Sequence, residues 1–261
     1  MKNTIKNTID SILFSLDSLF NKLGILIIPR WRAHDFTLIR RMKRIIKEYN
    51  IDCIIDVGAN IGQYRDTMRK HVGFKGLIIS FEPDSECFEV IKRKSEIDPL
   101  WEVMEYAIGD KEDILKLNIM EGSVFNSFLE PDSSESDLFS DGNTVKKVVE
   151  VPVKRLDSLL PELMDKFKFK NIFLKLDTQG FDLEAFTGVL GEVDKIKGVQ
   201  TEVSFTQLYK GAPTFDKSLK LFKENGFEVS GMYSLGEYRF PHALEHDCIY
   251  LPKLSADDKR E

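Results

Sequence analysis

Apolar residues recur every three or four positions through residues 5–23, at Ile5, Ile9, Ile12, Leu13, Leu16, Leu19, Phe20 and Leu23, and Gly24 ends the pattern. That period is one face of a helix. Asp10 and Asp17 interrupt the run and no small-residue cleavage site follows, so a packed helix is expected rather than a secretory signal. Residues 1–34 therefore read as an amphipathic helical extension. Its stripe would lie on the rest of the protein or on a second copy. Weak contact with a membrane surface is the alternative, disfavoured because the polar face carries both signs of charge.

Residues 35–261 read as one domain in which the period alternates between helix and strand. A basic helix is expected over 36–49. Strands follow at 53–57, 77–81, 103–107, 172–176, 199–205, 227–232 and 248–251, and helices at 62–71, 85–95, 156–167, 180–190 and 215–225. Strands separated by helices make parallel βαβ units, hence an α/β fold of the Rossmann-like kind. Residues 114–120 and 145–153 look like an added antiparallel pair. The stretch 122–143 between them, rich in Ser, Asp and Glu, reads as a loop.

The composition narrows the function classes. A chain of 261 residues with 42% hydrophobic content and 19 Phe has material for a sizeable core. A net charge of −6 offers no basic field to nucleic acid, so no nucleic-acid partner is expected. Cys53, Cys87 and Cys248 are odd in number and form no CxxC pair, which favours a reducing, cytoplasmic setting over a disulfide framework.

The candidate chemistry begins where the first strand turns into a helix, at Asp56-Val57-Gly58-Ala59-Asn60-Ile61-Gly62-Gln63-Tyr64. The glycines permit a tight turn and close approach of a ligand, and the helix start aims amides at a negative group. Asn60 and Gln63 stand where the dinucleotide fingerprint needs glycine, and no phosphate-loop lysine follows. Glu82-Pro83 ends the next strand, where a carboxylate reaches the two hydroxyls of a ribose. A nucleoside that carries a carboxylate and needs no phosphate cradle is S-adenosylmethionine. A non-catalytic nucleoside-binding module remains the rival reading.

These residues, with Phe81-Glu82-Pro83, Ala107-Ile108-Gly109-Asp110, Arg155-Leu156-Asp157, the run from Lys175 to Glu184, and Val199 to Phe205 with Leu208-Tyr209, resemble the motifs of FkbM-family methyltransferases in family order. Many members have Glu where this chain has Gln179. The resemblance implies a class I methyltransferase domain over 35–261, with a seven-stranded sheet, the last strand antiparallel and helices on both faces. It implies methyl transfer from S-adenosylmethionine to an oxygen of a sugar, glycan or glycosylated natural product. By position, Asp56, Gly58, Asn60 and Gln63 would surround the methionine part, Glu82 would hold the ribose, and Ile108 and Asp110 would lie near the adenine, with Ala59, Gly62, Tyr64 and Pro83 also among the cofactor-binding residues.

Lys175 is the anomaly of the sequence, because it stands in a strand expected to be covered on both faces. A buried ammonium needs a partner. Period two puts Lys175 and Asp177 on one face, and Gln200, Glu202 and Ser204 share a face of the next strand. The expectation is a cluster of Lys175, Asp177 and Glu202 in which Lys175 keeps Asp177 ionised and Glu202 balances the lysine. Asp177, also near the cofactor, would orient the acceptor and serve as candidate base. His242, before the last strand, is a second candidate. Asp177 and Glu202 are also oxygens a divalent ion would take, which leaves base and metal schemes open, though no metal site is predicted. Asn126 and Ser127, in a loop long enough to act as a flap, with Gln179 and Tyr209, are the expected acceptor contacts.

Overall fold

The computed structural model describes residues 33–132, 142–205, 208–234 and 245–254. The helical stripe expected over 5–23 lies outside these residues. So does His242.

A basic helix α1 (Ala33–Glu48) precedes β1 (Cys53–Val57), α2 (Gln63–Thr67) with a π-helical turn Met68–Val72, β2 (Leu77–Phe81), α3 (Ser85–Ser95) and β3 (Trp101–Met104). A short β4 (Ala107–Ile108), β5 (Asp113–Met120) and β6 (Val145–Lys154) come next. The chain continues through α4 (Leu156–Phe167), β7 (Ile172–Leu176), α5 (Asp182–Thr187), β8 (Ile196–Ser204), α6 (Phe215–Glu224), β9 (Phe227–Ser234) and β10 (Glu245–Pro252).

Seven strands form one sheet in the order β3-β2-β1-β7-β8-β10-β9, with β10 antiparallel to both neighbours. This is the class I methyltransferase arrangement. The chain reverses direction across the sheet at β1 and β7, whose carboxyl ends border the crevice where such sheets bind ligands. β1, β2 and β7 are buried along their whole length, as strands covered on both faces must be. Alternate residues feed two cores. Ile55, Phe81, Leu174 and Tyr250 pack toward α4, α5 and α6, and Ile54, Ile78 and Phe173 toward α1, the π turn and α3.

Three elements differ from the sequence pattern. Residues 103–107 split, with Trp101–Met104 on the sheet edge and Ala107–Ile108 pairing with β6 in a separate three-stranded sheet, β4-β6-β5. One apolar run cannot reveal that its halves serve two sheets. The helix expected over 62–71 widens into the π turn, where Arg69 donates to the carbonyls of Phe74, Gly76 and Leu100 and binds Asp98, pulling the chain onto the β3 edge. The helix expected over 180–190 ends at Thr187, and a 3₁₀ turn follows at Leu190–Lys195. The loop after β5 is also anchored at its start, by a 3₁₀ turn at Ser123–Phe125 and bridges Asn118–Ser127 and Pro131–Tyr209. Cys53, Cys87 and Cys248 are free and buried. Among the described residues no helix is long and apolar enough to cross a membrane.

α5 packs against the β4 turn through Gly188, where an added Cβ would stand 2.0 Å from the Gly109 carbonyl oxygen. Gly188→Ala is expected to lower stability by about 1–3 kcal/mol, the usual cost of overpacking. Urea unfolding would show this as a lower midpoint at unchanged slope.

Candidate active site

On the α1 face of the sheet the apolar row Ile78–Ile54–Phe173 gives way, two residues nearer the carboxyl ends, to a polar row. Ser80, Asp56, Lys175 and Gln200 stand side by side on four adjacent strands. Trp101 Nε1 donates to Ser80 Oγ at 2.9 Å, and Ser80 Oγ to Asp56 Oδ2 at 3.3 Å. Lys175 Nζ lies 3.3 Å from Asp56 Oδ1 and 3.1 Å from Asp177 Oδ2, and donates to the Gly58 carbonyl at 3.3 Å. Burial alone pulls the ammonium toward neutrality, but Asp177 and Asp56 more than reverse this and leave its pKa above the ordinary lysine value. Burial raises the fully enclosed Asp56, with Lys175 opposing it. The Lys175 ammonium also sits 5.4 Å from the Tyr64 ring, whose hydroxyl donates to Gln200 Oε1 at 3.1 Å.

The β1 turn fits tightly over this row. Gly58 has φ 78°, and a Cβ there would meet the Asp177 carbonyl oxygen at 1.9 Å, so only glycine fits. Asn60, at φ 47°, donates its backbone N–H to Glu82 Oε2 at 2.6 Å, and the Asp84 N–H binds Oε1 at 2.9 Å. Glu82 is buried and its pKa is pushed up to about 7, chiefly by desolvation that the two amides only partly offset. A strap from the inserted sheet closes over this turn. Asn60 Nδ2 donates to Ser123 Oγ at 3.1 Å and Asn126 Nδ2 to Asp84 Oδ2 at 3.1 Å.

Between turn, strap and strand ends lies a cavity of about 520 Å³. Its β2 side is lined by Glu82, Pro83, Ile108, Leu117, Val124 and Phe128, a carboxylate beside an apolar slot. Its β7–β10 side is lined by Asp177, Gln179, Gln200, Glu202 and Asp247. The apolar slot suits a planar base, the carboxylate a diol, and the far side a hydroxyl-rich ligand.

Residues 56–229 match the profile of the methyltransferase FkbM domain. The chain belongs to the FkbM methyltransferase family. No curated protein sequence matches it. Among solved structures, it is similar to the FkbM methyltransferase of Methylobacillus flagellatus KT at 14% identity, over 77% of this chain and 44% of that one, with TM-score 0.47. It thus spans less than half of that protein's length. Magnesium protoporphyrin IX methyltransferase from Synechocystis PCC 6803, solved with bound S-adenosylmethionine, is 9% identical over 94% of this chain and 96% of that one, TM-score 0.45. A putative caffeoyl-CoA O-methyltransferase from Staphylococcus aureus is 11% identical over 96% and 98%, TM-score 0.43.

In this chain Gly58, Ala59, Asn60, Gln63, Tyr64, Glu82, Pro83, Ile108, Asn126, Lys175, Asp177, Gln179 and Glu202 all line the cavity. Asp56 lies beneath it, under Lys175, and Gly62 (φ 86°) packs against the Trp101 ring. Four expectations are corrected. Asp110 is exposed and outside the lining, its carbonyl taken by Arg155, so it does not reach the base slot. Ser127 is fully buried and donates to the Gln179 carbonyl at 2.6 Å, clamping the left-handed turn at Gln179 (φ 51°) instead of meeting an acceptor. Tyr209 is buried too, with its hydroxyl 2.9 Å from Gln179 Oε1 and 3.1 Å from the Phe125 carbonyl. Glu202 does not balance Lys175, whose charge is met by Asp56 and Asp177. Glu202 instead accepts from Gln179 Nε2 at 2.9 Å.

Sequence reasoning missed Ser123, Val124 and Phe128 on the strap, and Asp247 on β10. Asp182, which carried no signal of its own, accepts from the Thr178 N–H at 2.8 Å and the Thr178 hydroxyl at 2.6 Å. Among the described residues no group of three or more His, Cys, Asp or Glu is arranged to hold a metal ion.

Because Lys175 neutralises a fully enclosed Asp56, Lys175→Met is expected to cost about 3–5 kcal/mol, the penalty for stranding a buried charge. Adding Asp56→Asn should recover part of the loss. Urea titration of both single variants and the double would show a non-additive cycle.

Proposed function

We propose that this protein transfers a methyl group from S-adenosylmethionine to a hydroxyl of a sugar, glycan or glycosylated natural product. The observation that carries the reading is Glu82, a buried carboxylate beside an apolar slot. Each of its oxygens receives a single backbone amide, and each keeps acceptor capacity toward the cavity. A ribose diol supplies the two missing donors. Pro83, Ile108 and Phe128 supply apolar contact for adenine, and the Gly58–Gln63 turn gives the amino-acid part its close approach. When bound, this cofactor supplies an electrophilic methyl group on a sulfonium.

The chain's own work is then alignment and charge. The carboxylates and amides on the far side of the cavity suit a polyhydroxylated acceptor better than an apolar or anionic one. Asp177, held by Lys175 through Oδ2 and by Gln179 Nε2 at 3.1 Å through Oδ1, is fixed in place to orient that acceptor. A nucleoside-binding module without catalysis would have no use for this polar half.

The raised pKa of Glu82 makes the reading testable without an acceptor. Glu82 titrates at about 7 rather than 4.5 in the free protein. Its contribution to stability is therefore fully present below pH 4.5 and lost as the pH rises through 7. Ribose hydroxyls donate to the ionised form, so binding of S-adenosylhomocysteine at pH 6 should release a proton, and binding at pH 9 should release none. Calorimetry in two buffers of different ionisation enthalpy measures this. Glu82→Gln should abolish the release and weaken binding by about 1.5–3 kcal/mol. Tight NAD binding with none for S-adenosylhomocysteine would overturn the function.

A further inference from the structure

We propose that Glu202 and Glu245 hold a single proton between them and together take up the hydroxyl proton of the acceptor, Glu202 touching the acceptor and Glu245 acting through it as a positioning residue. The inference rests on the methyl-transfer reading and adds where the proton goes.

A sugar hydroxyl must lose its proton as its oxygen gains the methyl group. Asp177 is poorly suited to receive it, because both of its oxygens already bind strong donors, Lys175 on one and Gln179 Nε2 on the other. The orientation of the Gln179 amide is settled by its surroundings. Its Oε1 faces the Tyr209 hydroxyl, so Nε2 is directed between Asp177 Oδ1 and Glu202 Oε2.

Glu202 has a different neighbour. In the β8–β10 ladder Glu202 stands opposite Asp247 and Ser204 opposite Glu245, so Glu202 and Glu245 are diagonal neighbours on one face. Their carboxyl groups share one small recess. Two carboxyl groups placed together away from water are held there when one of them carries a proton that the other accepts. Ser204 Oγ donates to Glu245 Oε1 at 3.1 Å and Gln179 Nε2 to Glu202 Oε2 at 2.9 Å, so each carboxyl keeps one oxygen for the shared proton, which rests on Glu202, the more strongly raised of the two.

The surroundings hold that proton. Asp177 just beyond β7, Asp182 on α5 and Asp247 on β10 face the pair or its neighbours with negative charge, and Tyr209 closes its back. Among the described residues the nearby cation is Lys175, and it is engaged by Asp56 and Asp177. Burial and like charge hold both carboxyls above the ordinary range, Glu202 the further. Glu202 lines the large cavity, while Glu245 lies behind it in a small recess with Tyr209 and Ser218.

The step balances. The acceptor O–H proton passes to Glu202 as the Glu202 proton passes to Glu245. The acceptor oxygen bonds the methyl carbon, and the carbon–sulfur electron pair stays on sulfur. The pair goes from one negative charge to none while the sulfonium goes from positive to neutral, so the net charge of the site is unchanged. Water removes the proton after product leaves.

Infrared difference spectra of the full chain at pH 8, wild type minus variant, test the shared proton without any acceptor. At that pH Glu82 and Asp182, both near 7, are mostly ionised. The wild type should show the carbonyl stretch of a protonated carboxyl group, and both Glu202→Gln and Glu245→Gln should remove it while melting near the wild-type temperature. With labelled S-adenosylmethionine and a panel of methyl glycosides as acceptors, each variant should keep its affinity for S-adenosylhomocysteine and its KM while kcat falls by roughly 10²–10⁴-fold. A wild-type spectrum without the band, a band that survives both substitutions, or a folded Glu245→Gln with wild-type kcat would overturn the proposal. If the band is present but no glycoside is methylated and S-adenosylhomocysteine does not bind, the function reading fails instead.

Discussion

The site is organised by one ammonium group. Lys175 is buried in the centre of the sheet, where a lone charge would be untenable, and it persists because it faces Asp56 on the neighbouring strand and Asp177 beyond its own strand end. Its bond to the Gly58 carbonyl adds the cofactor turn to the same cluster, and that turn has no room for a side chain against the Asp177 carbonyl. One charge thus sets the relative positions of β1, β7 and the loop that a ligand must contact. Replacing such a cluster by apolar residues is often neutral for stability. Its use here lies in placing Asp177 and the turn.

Different acids in one cavity are tuned apart by their surroundings. Glu82 is raised by desolvation but keeps two amides on its oxygens, so a diol that brings two more donors can ionise it. Asp177 is held between a cation and an amide. Among the described residues Glu202 has Glu245 and Asp177 for neighbours and no cation of its own, so its proton is retained. Gln179 joins the second and third environments, donating to both carboxyls while accepting from Tyr209. A carboxylate at position 179 would put a further negative charge between those two. The amide supplies donors there instead.

Much of this was legible in the sequence because its causes are local. The strands 53–57, 77–81 and 172–176 and the helices 85–95 and 156–167 coincide with the observed elements, since continuous apolar runs and helical periods reflect burial that each segment experiences by itself. Lys175 could be singled out because a charge in a covered strand is improbable without partners. Its second partner, Asp56, was assigned to the cofactor, because cross-strand register is not visible in one strand. Ser127 and Tyr209 were read as acceptor contacts because a polar residue in a loop looks alike whether solvated or buried. Their partner, Gln179, lies 52 and 30 residues away in sequence. Glu245 carried no signal beyond its alternation with Asp247, which acquires meaning only when β10 is set antiparallel to β8. Asp110 failed for a simpler reason, in that Arg155 draws the chain outward after Gly109.

A crystal structure of the full chain with S-adenosylhomocysteine tests the central claim most directly. The account predicts both ribose hydroxyls within hydrogen-bonding distance of Glu82, the base against Ile108 and Phe128, and the sulfur turned toward Asp177 and Glu202, with Lys175 still bridging Asp56 and Asp177. A ribose bound away from Glu82, or a sulfur facing away from the Asp177–Glu202 side of the cavity, would contradict it.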